Sequence, residues 1–407
     1  MILAIDFGST SFKAGLFDRR LRPVWMRRAP VRYRFESGRR VELNVAEAEA
    51  AVRQVLPRRA DITVIAVTSQ AQTFTAVDPA GRARRPFVSW QDGRAVGACE
   101  QLQRRLPDFA THGSFADLLP ALQICQIQHH PLARSETALL LPSYFVRQWT
   151  GENVTDDNLA AMSGLYSMPL GDWLPVVARR DQLPRVAPVG TVGAVTTKNR
   201  FGLPAGIPVV LAGNDQTAGA YGARLDQNGA TLITLGTAQV VYRCVSRRPA
   251  PAPGVIRGPY PGGRHYRMVA DQWGGNLINW AETVLAGCAS DDQFFAQAGR
   301  ASAGCCGLVF DPARGEWRGW GLEHTAAEMA RSILEALSGR LADLVRQLGP
   351  TPRRPFLVAG GGAGRPLWRA IVAAQLHGRL QPTGASPLLG AARMAGTFLR
   401  TAGQRHS

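Results

Sequence analysis

The sequence contains 407 residues, is 45% hydrophobic and carries a formal net charge of +17. A chain of this length buries substantial apolar cores and exceeds the usual size of one domain, so two domains are expected. No segment approaches the roughly 18 consecutive apolar residues of a membrane span, and the short apolar start, interrupted by Asp6, is unlike a signal peptide. We therefore expect a cytoplasmic protein with no membrane partner.

The positive charge comes almost entirely from arginine, because Lys13 and Lys198 are the only lysines in the sequence. The arginines occur in ones and twos and form no basic block interleaved with aromatic residues, so a composition bias explains the charge and no nucleic-acid partner is expected. The six cysteines show neither a C-x-x-C pair nor zinc-site spacing. The pattern predicts neither a disulfide framework nor a structural metal.

The chain opens with two apolar, strand-like runs that are separated by a short polar turn. Residues 2–5 and 12–17 flank Asp6 and the small residues Gly8, Ser9 and Thr10. Small residues let the backbone approach a ligand closely, so consecutive amides and hydroxyls in such a turn can converge on a phosphate oxygen. Taken alone, such a run is more often an ordinary hairpin than a phosphate site.

Helical and strand patterns then alternate, which predicts an α/β fold. Asn44 and Glu47 are typical of a helix N-terminal cap, and apolar residues recur at helical spacing from Val45 to Leu56. Strands are predicted at residues 62–67 and 74–77, the second followed by a turn. Residues 105–142 are proline-rich and irregular.

A second α/β set begins with GIPVVLAGNDQTAGAYGA, which reads as strand, polar break and helix. Asp215 lies at the break, where it can cap the following helix or act as a functional carboxylate. A long amphipathic helix comes later, and its apolar face is formed by Ile333, Leu334, Leu337, Leu341, Leu344, Val345 and Leu348. The stretch PFLVAGGGAGRPLWRAIVAAQL again predicts a strand, a glycine turn and a helix. Taken alone, GGGAG could be only a tight turn between the strand and the helix.

The opening device recurs near the middle of the chain. TLITLGTAQVVYRC, at residues 231–244, places Gly236 and Thr237 between two strands, as in residues 2–17. Two copies suggest a duplicated domain with a cleft between the halves. Other nucleotide signatures are excluded, because no Gly-Lys pair forms a P-loop and Arg365 occupies the third glycine position of a G-x-G-x-x-G fingerprint.

The ordered set of motifs resembles the FGGY carbohydrate kinases, within the actin, heat-shock chaperone and hexokinase superfamily. The segments that carry the resemblance are AIDFGSTSFKAGLFD, WQDGRA, WTGENVTDDNLAAMSGLYS, AGNDQTAGAYGA, TLITLGTAQVV, GGNLINW and VAGGGAGRPLWRAIVAAQLHG. The resemblance implies an α/β fold of two duplicated actin-like (ribonuclease H-like) domains, with mixed sheets flanked by helices and an interdomain cleft. The implied sugar-binding domain covers residues 1–224 with the C-terminal helix of 388–407, and the implied nucleotide-binding domain covers 225–387.

The resemblance also implies roles for individual residues. Asp215 matches the catalytic base, and Asp6 matches a carboxylate that faces the magnesium ion of the nucleotide. The residues that match the phosphate and adenosine motifs are Asp6, Gly8, Ser9, Thr10, Lys13, Gly236, Thr237, Gly360, Gly361, Gly362 and Ala363. The residues that match the sugar-contacting positions are Gln70, Gln72, Trp90, Asp92, Arg94 and Gln216.

The implied activity is transfer of the γ-phosphate of ATP to a sugar hydroxyl, with ATP and Mg²⁺ as cofactors and a homodimer as the assembly considered. Ala71 and Gln72 replace the Arg-Glu pair of glycerol kinases, so a ketopentose such as xylulose or ribulose is expected before other ketoses and polyols. Gly364 and Arg365 depart from the adenosine motif. The alternatives are a non-catalytic nucleotide-binding regulator of the same fold and a plain ATPase.

Overall fold

The computed structural model describes residues 1–58, 61–350 and 355–404. The strands in chain order are β1 (Ile2–Phe7), β2 (Ser11–Phe17), β3 (Pro23–Pro30), β4 (Arg34–Glu36), β5 (Arg40–Leu43), β6 (Val64–Ser69), β7 (Phe74–Val77), β8 (Phe87–Val88), β9 (Thr137–Leu140), β10 (Val154–Asp156), β11 (Tyr166–Ser167), β12 (Asp172–Trp173), β13 (Arg185–Ala187), β14 (Val192–Val195), β15 (Pro208–Asn214), β16 (Thr231–Leu235), β17 (Gln239–Val245), β18 (Ile256–Tyr260), β19 (Arg264–Asp271), β20 (Val309–Asp311), β21 (Glu316–Arg318), β22 (Phe356–Ala359) and β23 (Leu380–Pro382).

The helices in chain order are α1 (Val45–Val55), α2 (Val96–Arg105), α3 (Phe109–His112), α4 (Gln123–His129), α5 (Leu141–Thr150), α6 (Asp157–Ala161), α7 (Asp215–Gly222), α8 (Leu225–Asn228), α9 (Gly275–Val284), α10 (Asp291–Ala298), α11 (Ala326–Gln347), α12 (Pro366–Leu376) and α13 (Pro387–Gln404). Within the described residues, no helix is both long and apolar enough to cross a bilayer.

The chain divides into two units. Unit 1 comprises Met1–Asp226, Val245–Tyr266 and the described part of Ala385–Ser407, whereas unit 2 comprises Gln227–Cys244 and the described part of Arg267–Gly384. The sequence placed 245–266 in the second domain, so the division differs there. Arg257 holds this segment on unit 1, because its guanidinium donates to the carbonyls of Ala110 and Thr111 at 2.8 and 3.0 Å.

The main sheet of unit 1 has the order β14-β15-β6-β1-β2-β3. β1 pairs antiparallel with β2 and parallel with β6, and β6 pairs parallel with β15. β1 is buried along its whole length, which is why its sequence is continuously apolar up to Asp6. A second sheet in this unit has the order β4-β5-β8-β7-β9.

The C-terminal helix α13 completes the core of unit 1. Its small and apolar side chains pack with those of β1, β6 and β15, and the α13 members of this cluster are Leu388, Ala391, Ala392, Met394 and Ala395. On the other face of the sheet, a larger cluster includes Phe7, Phe145 and Trp149, with the rings of Phe7 and Phe145 stacked at 4.9 Å. The sheet is therefore covered on both faces, as its parallel strands require.

Unit 2 repeats the arrangement of β2, β1, β6 and β15 in the main sheet of unit 1. Five strands of its sheet lie in the order β19-β17-β16-β22-β23, with β16 antiparallel to β17 and parallel to β22, and β22 parallel to β23. The long helix α11 begins with a capping box formed by Thr325 and Glu328. Its buried residues include Ile333, Leu337 and Leu341, so the predicted apolar face is confirmed. Mixed sheets flanked by helices in both units confirm the expected two-domain α/β fold.

Candidate active site

Three parallel strands of unit 1 end side by side. The register pairs Phe7 of β1 with Ser69 of β6, and Ser69 with Asn214 of β15. The next residues along the chain, Gly8, Gln70 and Asp215, therefore follow the carboxyl ends of neighbouring strands, and the amide of Gln70 donates to the carbonyl of Phe7 at 3.0 Å. Ligands of open α/β sheets bind outside these strand ends, so this edge of unit 1 is the candidate active site.

Asp6 is a buried carboxylate at this edge. Its side chain is paired with Lys13, whose Nζ lies 3.6 Å from Asp6 Oδ2. Burial raises the pKa of Asp6 to about 7, with a further contribution from the charge of Asp215, while Lys13 opposes the rise. Asp6 Oδ1 is buried and has no hydrogen-bond partner within the described part of the chain. A buried oxygen without a partner points to a ligand or ion that satisfies it.

Asp215 is the first residue of α7, and its neighbour performs the capping. The side chain of Asn214 accepts from the amide of Thr217 at 3.0 Å and is the N-terminal cap. Asp215 Oδ1 accepts from the amide of Gln216 at 2.8 Å. Burial raises the pKa of Asp215 to about 6, against the lowering effects of the Gln216 amide and of Lys13. At neutral pH this carboxyl is ionised yet basic enough to accept a proton, which suits a general base.

The loop after β6 carries two of the predicted sugar contacts. Gln70 is buried, its Nε2 donates to the hydroxyl of Tyr33, and its Oε1 has no hydrogen-bond partner among the described residues. Gln72 has a positive φ of 69°, which is uncommon outside glycine, and its carbonyl accepts from Gln123 Nε2 at 2.5 Å. The loop is therefore fixed in shape, and it leaves one carboxamide oxygen available to an acceptor hydroxyl.

Asp92 and Arg94 are bound mainly to each other and to the surrounding protein. Asp92 is buried and accepts from the amide of Val41 at 2.8 Å, while Arg94 donates both to Asp92 and, at 2.8 Å, to Glu42. Burial alone would raise the pKa of Asp92, but hydrogen bonds from Arg94 and Val41 hold it below its usual value. Trp90, in the same segment, has 40% of its surface accessible.

The first small-residue turn connects β1 and β2. A Cβ at Gly8 would lie 3.0 Å from the carbonyl oxygen of Ser11, so the turn is tight at this position. Ser9 is partly exposed and Thr10 is exposed, while the Oγ of Ser11 is buried without a hydrogen-bond partner in the described residues. The turn thus presents small residues and hydroxyls beside Asp6 at the end of β1.

The corresponding turn of unit 2 follows β16. Gly236 accepts from the amide of Gly275 at 2.8 Å, and Thr237 accepts from the amide of Asn276 at 3.2 Å. A Cβ at Gly274 would lie 2.8 Å from the Thr237 carbonyl oxygen, so a side chain would not fit where the start of α9 meets this turn. Thr237 is exposed, which leaves its hydroxyl accessible.

The glycine-rich turn of unit 2 follows the adjacent parallel strand. β16 and β22 pair Thr234 with Ala359, so the residues after each strand end lie at the same edge. Gly360 has a φ of 89°, and a Cβ there would lie 2.4 Å from the carbonyl oxygen of Leu235. Gly361–Gly364 then form a single 3₁₀ turn, and a Cβ at Gly362 would overlap the ring of Trp368 at 2.4 Å. Glycine is therefore required at 360 and 362, because neighbouring atoms leave no room for a side chain there.

Arg365, which departs from the adenosine motif, is bound to the start of α10. Its guanidinium donates to Asp291 at 2.8 Å and to Asp292 at 2.5 Å, and lies 5.1 Å from the ring centroid of Phe295. The Arg365 guanidinium is therefore engaged by two exposed carboxylates of the protein itself. The neighbouring Ala363 is buried and accepts a hydrogen bond from Arg369.

The carboxylate of Asp6 suits a magnesium ion that is bound mainly by water and by substrate phosphates. Within residues 1–58, 61–350 and 355–404, no group of three or more His, Cys, Asp or Glu side chains could hold a metal. Mg²⁺ keeps most of its water and is commonly bound by one or two carboxylates together with substrate phosphates. The unpartnered Oδ1 of Asp6 is the oxygen suited to that contact.

Sequence reasoning assigned no role to Tyr33 or Asn158. Tyr33 hydrogen-bonds Gln70, and burial raises its pKa to about 12, so its hydroxyl remains protonated. Asn158 is fully buried and hydrogen-bonds the amide of Asn214. Asn158 lies within the motif TDDNLAAMSG, which the sequence analysis singled out. Its hydrogen-bond partner Asn214 is distant in sequence, so the motif did not reveal the contact.

The shared strand order and the small-residue turns place the chain in the class of two-domain α/β proteins with an actin-like fold. The chain belongs to the FGGY family of carbohydrate kinases, because residues 1–222 match the sequence pattern of that family's N-terminal domain. It is a carbohydrate kinase, a phosphotransferase that takes ATP as a substrate. The resemblance inferred from the motifs is confirmed.

Individual relatives extend this likeness over most of the chain. A xylulose kinase of Escherichia coli K12 is 28% identical over 374 residues, covering 82% of this chain and 76% of the relative. An L-fuculokinase of the same organism is 26% identical over 340 residues, covering 77% and 72%. A glycerol kinase of Bordetella parapertussis is 28% identical over 422 residues, covering 89% and 81%.

Solved structures share the fold. A ligand-bound xylulose kinase from Lactobacillus acidophilus superimposes with a TM-score of 0.88 at 18% sequence identity, covering 98% of this chain and 89% of that one. Likeness at this identity establishes the architecture.

Proposed function

We propose that this protein transfers the γ-phosphoryl group of ATP to a hydroxyl of a ketose, with a ketopentose such as xylulose or ribulose as the first candidate. Asp215 accepts the proton of the attacking hydroxyl as its oxygen bonds to the γ-phosphorus, and ADP departs with the electrons of the broken bond. Phosphoryl transfer depends on positioning and charge stabilisation more than on covalent chemistry. The observation that carries the proposal is a basic carboxylate at the start of α7, beside a sugar loop and a phosphate turn.

The residues of unit 1 divide the work. Gln70, Gln72, Trp90 and Gln216 contact the acceptor, and the unpartnered oxygen of Gln70 accepts from one of its hydroxyls. Asp92 and Arg94 act on the acceptor indirectly, since their mutual ion pair and Glu42 hold the loop that carries Trp90. Gly8, Ser9, Thr10 and Lys13 bind phosphate oxygens.

In unit 2, the two glycine turns bind the nucleotide. Gly236 lets the backbone approach the phosphates closely and Thr237 offers its exposed hydroxyl to them. The backbone of residues 360–363 lies close to the ribose and base. Mg²⁺, held by Asp6 through its water shell, would neutralise charge on the phosphates when bound. Without a P-loop lysine, these turns supply the contacts through backbone groups.

The choice of a ketopentose rests on the sugar loop and on the relatives. Ala71 and Gln72 stand where glycerol kinases carry a charged Arg-Glu pair. The charged side chains that would bind a small triol are therefore absent. Xylulose kinases are among both the sequence relatives and the structural neighbours. The L-fuculokinase and glycerol kinase relatives, at similar identity, make other ketoses and polyols the alternatives to test.

Release of ADP, measured in a coupled assay against a panel of xylulose, ribulose, fuculose and glycerol, tests the proposal. We expect release that depends on acceptor and is fastest with a ketopentose. Equal release with and without acceptor would indicate an ATPase, and ATP binding without any turnover would indicate a regulatory protein. Fastest release with glycerol would contradict the interpretation of the sugar loop.

A further inference from the structure

We propose that Asn158 is a positioning residue for Asp215, fixing the turn from which the base projects. This inference rests on the proposed function of Asp215. Asn158 belongs to α6, and its side chain is completely buried. Two of its side-chain partners, Asn214 and Thr217, lie at the end of β15 and in the first turn of α7, and the third is the carbonyl of Pro259.

The carboxamide of Asn158 uses its acceptor and both of its donors. Its Oδ1 accepts from the amide of Asn214 at 2.9 Å, and its Nδ2 donates to Thr217 Oγ1 at 3.0 Å and to the carbonyl of Pro259 at 2.7 Å. These contacts join the last residue of β15, the first turn of α7 and the strand β18. A buried amide whose oxygen and both N–H groups are hydrogen-bonded is costly to disturb, because each lost partner leaves a desolvated group.

The backbone beside Asp215 requires this support. Gly213 has a left-handed φ of 68°, and the pairing of β15 with β6 shifts register between Leu211 and Asn214. Regular sheet hydrogen bonding therefore does not fix this segment. Thr68 Oγ1 donates to the Gly213 carbonyl at 2.9 Å.

Asn158 therefore binds the amide of Asn214 directly after this irregular residue. Asn214 in turn caps α7 through Thr217, which Asn158 also contacts. Asp215 lies between these fixed points and has its own carboxyl hydrogen-bonded only to the local amide of Gln216 in the bonds described above. The position of the base is thus set through its neighbours. A displacement of about 1 Å at a reacting group can cost roughly 100-fold in rate.

The test compares Asn158→Ala with Asn199→Ala in the full chain. Asn199 also hydrogen-bonds through both ends of its carboxamide, to Thr197, Leu203 and Phe201, but none of these partners belongs to β15 or α7. Steady-state kinetics with the best acceptor should show kcat reduced by about 10- to 100-fold in Asn158→Ala, with KM for ATP within about twofold. Asn199→Ala should keep kcat within about threefold of wild type.

Hydrogen exchange supplies the readout that needs no turnover. Amide exchange in the peptide spanning residues 212–222 should accelerate by about tenfold in Asn158→Ala and remain unchanged in Asn199→Ala. If Asn158→Ala does not fold, Thr217→Val removes one partner of the same carboxamide at nearly constant volume and should accelerate exchange in the same peptide.

A folded Asn158→Ala protein with kcat within about threefold of wild type, or with unchanged exchange at 212–222, overturns the inference. Equal loss of kcat in Asn199→Ala overturns it as well, because that result indicates a general loss of stability. If wild type shows no acceptor-dependent ADP release while exchange responds as expected, the proposed function fails and the role of Asn158 in fixing the Asp215 turn stands.

Discussion

The acid-base properties of Asp215 predict a pH dependence at the scale of one residue. Burial raises its pKa to about 6, and only the ionised carboxylate can accept the proton of a hydroxyl. We therefore expect kcat/KM for the acceptor to fall as the pH drops below about 6, by roughly tenfold per unit. Initial rates in overlapping buffers check this limb. A rate that stays constant down to about pH 4.5 would contradict the assignment of a base with this pKa.

Asp6 illustrates a site residue that lowers the stability of the fold. Its folded-state pKa of about 7 lies above the ordinary value of 3.8, so the folded protein retains a proton that the unfolded chain has lost. The stability contributed by this group therefore decreases as the pH rises through that interval. Such costs are typical of functional carboxylates, which are held where the chemistry needs them.

The change Asp6→Asn should accordingly stabilise the metal-free protein at alkaline pH. The gain in unfolding free energy should be ~1–3 kcal/mol greater at pH 8 than at pH 5, because the carboxyl of Asp6 is ionised only at the higher pH. Lys13 is 42% exposed on its side chain and should lose little when its partner is neutralised. Chemical denaturation with EDTA present measures both values. An equal change at the two pH values would contradict the elevated pKa.

At the scale of the element, the turn after β22 depends on glycine at one particular position. Gly360→Ala places a Cβ 2.4 Å from the Leu235 carbonyl in a left-handed conformation, so the turn must move away from the end of β16. We expect ATP affinity to fall by about tenfold or more, with a loss of about 1–3 kcal/mol in unfolding free energy. Titration calorimetry measures the affinity.

Gly364→Ala is the matched control for that change. It lies in the same turn, but an added Cβ meets nothing within 4 Å. ATP affinity should therefore stay within about twofold of wild type. Comparable losses in the two variants would show that close approach at Gly360 is not what shapes the nucleotide turn.

The contact between α7 and α13 is a second sensitive element, because α7 begins with the proposed base. A Cβ at Gly390 would lie 1.7 Å from the carbonyl oxygen of Ala218, so Gly390→Ala must separate the two helices. We expect a melting temperature lower by several degrees and a clear loss of kcat, since small-residue contacts of this kind set the helix spacing. At Gly396, also on α13, a Cβ meets only ordinary contacts from 3.5 Å outward. Differential scanning calorimetry should show Gly396→Ala unchanged, and equal effects would contradict the packing explanation.

At the scale of the whole molecule, unit 1 is assembled from segments far apart in sequence. Residues 245–266 and the helix α13 complete it, and the apolar face of α13 covers Ile2, Ala4, Val64 and Ala66. A fragment of residues 1–226 would expose these side chains, at roughly 1.5–3 kcal/mol for each large apolar side chain uncovered.

We therefore expect the fragment 1–226 to be insoluble or unfolded. The segments 1–226, 245–266 and 385–404, joined by flexible linkers, should fold cooperatively, because together they restore every described segment of unit 1. Circular dichroism melting of both fragments makes the comparison. Cooperative melting of 1–226 alone would contradict the role assigned to α13 in the core.

Periodicity and short motifs predicted the elements that carry local signals. Asn44 does cap α1, accepting from the amides of Ala46 and Glu47, and the strand, turn and strand at the start of the chain are present as β1 and β2. Such features depend on residues within a few positions of one another, so the sequence records them directly.

Features that depend on distant contacts were not predictable in this way. Local sequence allowed Asp215 as the cap of α7, whereas Asn214 performs that function. Nothing near Asn158 in sequence indicates that it binds the amide of Asn214, 56 positions away. The attachment of 245–266 to unit 1 rests on Arg257 bonding to carbonyls, and hydrophobic patterning carries no signal for such bonds.

The central claim is that the carboxylate of Asp215 accepts the proton of the sugar hydroxyl. The direct test measures acceptor-dependent ADP release and ATP affinity for Asp215→Asn, with Asp172→Asn as control, since Asp172 is exposed and its ion pair with Arg180 lies on the surface. The account predicts a loss of release by ~100- to 10,000-fold for Asp215→Asn, ATP affinity close to wild type, and an unaffected control. Acceptor-dependent release within about tenfold of wild type in Asp215→Asn would contradict the account.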